Sequence, residues 1–135
     1  MIYNNIISIL ETDDDLRDYK FFCCNGKVGF FKIDYNRQIG HRANYYTPDG
    51  LLMKFGEAIY PPDFNKELEI PAKLSQMIEL ANSLASNLPF ARIDFYNING
   101  NIYFGEITFY PASGFGKFTP ENYNEIIGDM ISLPI

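Results

Sequence analysis

A chain of 135 residues with 47% hydrophobic content has enough apolar surface for one core and too little length for two ordinary domains, so residues 1–135 are read as a single domain. A formal net charge of -6 and a pI near 4.6 repel a phosphate backbone on average, which argues against nucleic acid as a partner. No apolar run approaches the roughly 20 residues that cross a bilayer, and the N-terminus lacks a signal-peptide pattern, so a cytoplasmic protein with no membrane span is expected.

Taken in chain order, Ile6 to Leu10 form a short apolar run that ends in Glu11, Asp13, Asp14 and Asp15, whose like charges favour an exposed loop. DYKFFCCNGKVGFFKID then sets two aromatic-rich runs around Asn25-Gly26. Both turn residues tolerate positive φ, so a hairpin is predicted, with strands at about Tyr19 to Cys24 and Lys27 to Asp34. Cys23 and Cys24 fall on opposite faces of such a strand and read as two buried free thiols, with no further cysteine to build a thiolate metal site. Tyr35 to Lys66 has little periodicity and many turn-formers, among them Gly40, Asp49-Gly50 and Pro61-Pro62. It reads as a long loop with short extended pieces, and loops of this length are usually functional or disordered.

Pro71 opens a segment in which Leu74, Met77, Ile78, Ala81, Leu84, Ala85 and Leu88 recur at helical spacing until Pro89 stops it. ARIDFYNINGNIYFGEITF predicts a second hairpin around Asn99-Gly100, with strands at about Phe90 to Asn97 and Asn101 to Phe109. PASGFGKF is a Gly-rich loop, after which Thr119 can cap a last helix that starts at Pro120 and runs to about Leu133. The fold class is therefore α+β, a mainly antiparallel sheet of two hairpins with two principal helices packed on one face.

The chemistry-bearing residues cluster in the second hairpin. Arg92 and Asp94 share one face of their strand, as Glu106 and Thr108 share a face of theirs, because strand side chains alternate with period two. A two-residue turn at Asn99-Gly100 pairs odd with even numbers and would send Asp94 and Glu106 to opposite faces. A three-residue loop of Ile98, Asn99 and Gly100 with a bulge beside it makes them converge and sets Arg92 opposite Glu106, and this is the expected geometry. Mg²⁺ prefers such hard oxygen ligands, and Arg92 supplies a planar fork for a phosphate. The plainer alternative is a solvent-facing strand laced with cross-strand ion pairs. GFGKF lacks the spacing of a P-loop and is weak by itself. His41 and Arg42 lie in the long loop, where they either bind an anion or are simply solvated. Lys20 sits inside an aromatic strand and needs a partner if it faces inward.

DYKFFCCNGKVGFFKID, NRQIGHRANYYTPDG and, above all, PFARIDFYNINGNIYFGEITFYPASGFGKFTPENY resemble the TupA-like (teichuronopeptide biosynthesis) branch of the ATP-grasp family, over roughly Asp18 to Pro134. The resemblance implies the C-terminal half of a fold that grips ATP between two α+β halves and activates a carboxylate for attack by an amine. It implies ATP and Mg²⁺ as cofactors, with Asp94, Glu106 and Thr108 on the metal; Thr108 stands where many relatives carry Asn. Arg92 is implied as the catalytic, phosphate-side arginine, and Lys20, Arg92, His41 and Arg42 as residues that line the nucleotide and acceptor cleft. The implied partners are a nucleotide, a carboxylate, and an amine or glycan-linked acceptor in cell-surface polysaccharide synthesis. The family's first ATP-grasp half is expected to be absent, with Ile6 to Glu11 as a hinge remnant. Ligase activity would then need a complementary half or partner chain. The alternative expectation is a non-catalytic module of the same fold that binds a partner chain, and a glycosyltransferase is ranked low for want of room for a nucleotide-sugar domain.

Overall fold

The computed structural model describes residues 17–36, 39–109 and 118–119. Strands β1 (Asp18–Cys24) and β2 (Lys27–Tyr35) form the first hairpin, and β3 (Arg42–Tyr46) pairs along the outer side of β2. After the short β4 (Gly56–Glu57) come the helix α1 (Leu74–Leu84) and the second hairpin, β5 (Phe90–Ile98) and β6 (Asn101–Thr108). The five long strands make one antiparallel sheet in the order β3-β2-β1-β5-β6, and β4 pairs with β7 (Phe118–Thr119) in a separate ribbon. The described part is thus α+β with an antiparallel sheet, as expected. The apolar run and acidic cluster before residue 16, most of the Gly-rich loop and the second helix lie outside the described residues.

Both hairpin turns have the two-residue form. Asn25 and Asn99 take φ of 55° and 54° and the glycines after them 81° each, the left-handed pair that matches the twist of the flanking strands. Pairing starts with odd sums, Cys24 opposite Lys27 and Ile98 opposite Asn101. In each hairpin a glycine of the second strand then bulges out of register. Gly29 lies between the partners of Cys23 and Phe22, and Gly105 between the partners of Phe95 and Asp94. Beyond the bulges even numbers meet even, so Lys20 faces Lys32, Asp18 faces Asp34, Asp94 faces Glu106 and Arg92 faces Thr108. The expected three-residue loop is therefore corrected: parity changes within β6, at Gly105. A Cβ there would lie 3.0 Å from the Tyr96 ring and 3.1 Å from the Asp94 carbonyl oxygen, which explains why a glycine sits at the bulge.

One sheet face is the core. Phe21 stacks on Phe31 at 5.1 Å and Phe31 on Tyr46 at 5.4 Å, while Phe95 meets the edge of Phe21 at 5.8 Å. Each buried aromatic of this kind contributes roughly 1.5–3 kcal/mol by leaving water. Met77 and Ala81 of α1, with Ala85 just past its end, close over this row, and the alanines let the helix backbone approach until Cys23 Sγ lies 3.9 Å from the Ala81 carbonyl. The helix is shorter than the Pro71 to Leu88 segment expected, because turns occupy its two flanks. Strand β3 falls inside the stretch expected to be a loop. Its consecutive residues Tyr45 and Tyr46 are buried on opposite faces of the sheet, so burial outweighs the weak periodicity of the segment. Among the described residues no helix is long and apolar enough to cross a membrane.

Candidate functional site

The opposite face carries aromatic residues at one end and charges at the other. Phe22, Phe30, Tyr45 and Phe55 form the aromatic end, with Phe22 and Phe30 stacked at 4.6 Å. Next to it, the strand alternation that buries Phe21, Ile33 and Ile93 in the core projects Lys20, Asp34 and Asp94 to this side. Lys20 is central. Its ammonium lies 2.5 Å from Asp18, 3.1 Å from Asp34 and 4.0 Å from Asp94, its direct partner on β5. Lys32 bonds Glu57 at 3.0 Å and lies 3.7 Å from Asp34; Glu57 also accepts from the Tyr45 hydroxyl at 2.7 Å.

Asp34 is 1% exposed and ties the network together. Burial would push its carboxyl up, but the hydrogen bond from His41 Nε2 at 2.9 Å and the charges of Lys32 and Lys20 hold it well below the usual carboxylate range. Burial likewise disfavours the Lys20 cation, yet Asp34, Asp18 and Asp94 around it raise its proton affinity on balance. The imidazole of His41 stacks on Tyr60, with ring centroids 3.7 Å apart.

Arg92 grips Asp94 through two bonds, Nε to Oδ1 at 2.9 Å and Nη2 to Oδ2 at 3.0 Å. Nη2 also reaches Glu106 Oε1 and Thr108 Oγ1, each at 3.5 Å. Asp94 is 3% exposed, and its carboxyl is raised because burial outweighs the opposing pull of Lys20 and Arg92. Glu106, by contrast, has 65% of its side chain in water. The network as a whole holds Asp18, Asp34, Glu57, Asp94 and Glu106 against Lys20, Lys32 and Arg92, an excess of negative charge.

Of the residues singled out in the sequence, Lys20, His41, Arg92, Asp94, Glu106 and Thr108 are brought to this one face. Arg42 is not. Register puts it opposite Tyr35, on the other side of the sheet, where its exposed guanidinium bonds the Pro62 carbonyl at 3.3 Å. Asp18, Lys32, Asp34 and Glu57 were missed. For Lys32 and Asp34 a signal exists, since charges alternating with apolar residues in Phe30 to Tyr35 repeat the pattern that drew attention to Lys20. Glu57 is invisible in sequence because a turn-rich segment carries it to the site. Both cysteines are buried free thiols, and burial, reinforced by neighbouring Cys24, pushes Cys23 up to about 12.

An antiparallel sheet with a helix against one face and a charge-paired row on the other defines an α+β protein whose strands serve core and candidate site at once. A family model described as TupA-like ATPgrasp matches residues 5–132, and the chain belongs to that family. No curated protein and no solved structure matches significantly. The family generally uses ATP and Mg²⁺.

The residues present fit such a group. Among the described residues no three His, Cys, Asp or Glu side chains gather as a metal site, but Mg²⁺ ordinarily takes one or two carboxylates and completes its shell with phosphates and water. Asp94, Glu106 and Thr108 would offer it hard oxygen atoms, and the Arg92 guanidinium lies within 3.5 Å of all three side chains.

Proposed function

We propose that this sheet face is one wall of the nucleotide-phosphate site of an ATP-grasp ligase. The observation that carries the reading is the register that sets Asp94 opposite Glu106, with Arg92 and Lys20 beside them, in a chain of this family. Asp94 and Glu106 would hold Mg²⁺, with Thr108 as a hydroxyl ligand or water-orienting group, and the metal would withdraw charge from the transferring phosphoryl group. Arg92 binds that group through its planar fork, and Lys20 presents an ammonium kept charged by its carboxylate neighbours. The reaction class is ATP-dependent joining of a carboxylate to an amine, and the branch of the family favours an acceptor in cell-surface polysaccharide synthesis. Because phosphoryl transfer depends on stabilisation from both sides of the phosphates, groups facing this wall complete the catalyst.

Isothermal titration with Mg-ATP tests the reading. Saturable heat that Asp94→Asn abolishes supports it; no heat at millimolar nucleotide refutes it. A second reading, a non-catalytic module that docks a partner chain, draws on the exposed aromatic side chains of Phe64, Phe104 and Phe109, and predicts the latter result.

A further inference from the structure

We propose that Arg92 is a resident counter-cation that holds the metal site closed until phosphate arrives, so that cation and nucleotide bind as a coupled pair. This rests on the phosphate-site reading above. The guanidinium occupies both oxygens of Asp94, at 2.9 and 3.0 Å, and its Nη2 stands 3.5 Å from both Glu106 and Thr108. Each residue assigned to the metal is thus within reach of this one cation. A divalent ion that enters alone takes Asp94 from Arg92, and the displaced guanidinium then loses its bidentate carboxylate with no anion to replace it. When a phosphate enters with the ion, the evicted fork has a new anion of matching geometry.

Lys20 adds charge near Asp94 but no fork. Its ammonium stays 4.0 Å from Asp94 and is engaged with Asp18 and Asp34 at 2.5 and 3.1 Å. Nor is the cation needed to keep the sheet paired there, since the β5–β6 register is carried by backbone bonds on both sides of the Gly105 bulge. Displacing the guanidinium therefore leaves the strands paired, and that displacement is what couples the two ligands.

The consequence runs against the usual effect of removing an active-site residue. Arg92→Gln should bind bare Mn²⁺ about tenfold more tightly than the native chain, because the competing cation is gone, while the gain in Mn²⁺ affinity caused by a nucleotide analogue shrinks by a similar factor. Electron paramagnetic resonance of free Mn²⁺ at pH 8, with and without the non-hydrolysable analogue AMP-PNP, reads both quantities. Lys54→Gln removes one charge at an exposed position over the Phe64 ring and controls for net charge; it should leave Mn²⁺ affinity close to native. Arg92→Lys, which keeps the charge and loses the fork, should fall between native and Arg92→Gln, and it carries the test if the glutamine variant does not fold. Bare Mn²⁺ binding by both Arg92 variants that is no tighter than native, or a Lys54→Gln gain equal to theirs, overturns the proposal. AMP-PNP binding is scored separately with Mg²⁺ by calorimetry, so loss of the nucleotide reading and loss of the coupling are told apart.

Discussion

Replacing Asp34 by Asn removes the charge on which His41, Lys20 and Lys32 converge, at 2.9, 3.1 and 3.7 Å, from a side chain that is 2% exposed. Breaking a buried ion pair by deleting one partner costs about 3–5 kcal/mol when the other is left uncompensated. Here the compensation is partial. Lys20 keeps Asp18 at 2.5 Å and Lys32 keeps Glu57 at 3.0 Å, while the amide can still accept from His41, so the expected loss is about 2–3 kcal/mol. The pH dependence follows from the direction of the shift. Because the folded carboxyl lies below its ordinary value of 3.8, the charged form contributes stability above about pH 4, and that contribution disappears as the solution is acidified further. Urea titrations of the native chain and Asp34→Asn should therefore differ by a constant amount from neutrality to about pH 5 and converge at lower pH. Equal stability at pH 7, or a gap that widens with acid, would refute the assignment of Asp34 as the anionic centre of the network.

Gly105→Ala forces its Cβ against the Asp94 carbonyl at 3.1 Å and the Tyr96 ring at 3.0 Å; backbone cannot yield as a side chain can, so a cost of about 1–3 kcal/mol is expected, with weaker Mg-ATP heat in calorimetry. Unchanged stability and unchanged heat would mean that the bulge does not set the Asp94 to Glu106 geometry. Neither cysteine should react with Ellman's reagent until the chain unfolds, since both are buried and Cys23 is pushed up to about 12; rapid labelling of the folded protein would contradict the packing of Cys23 beneath α1.

Hairpins were legible because Asn-Gly flanked by aromatic strands leaves the backbone few alternatives, and the helix because its apolar spacing is regular. Where pairing parity changes was not legible. A glycine in a strand signals either a bulge or a close approach, and only the neighbours of Gly105, contributed by β5, decide between them. The sequence suggested that Asp94 and Glu106 share a face, but through the wrong loop, so Arg92 was expected opposite Glu106 and stands opposite Thr108. Strand β3 escaped notice because its reason for being extended is tertiary: Tyr45 joins Phe30 and Phe55, residues far from it in sequence. Glu57 belongs to the same class, since its partners Lys32 and Tyr45 are not its neighbours in the chain.

The sheet has no spare residues between its two tasks. A side chain that points to the charged row is separated from the packed aromatics by a single peptide unit on either side, so a substitution that tilts Phe21 or Ile93 also tilts Lys20 or Asp94. Drift in ligand preference along this wall is thereby restricted to changes the hydrophobic interior will accept, and sequence variation that retunes the charges should come paired with compensating changes one position away.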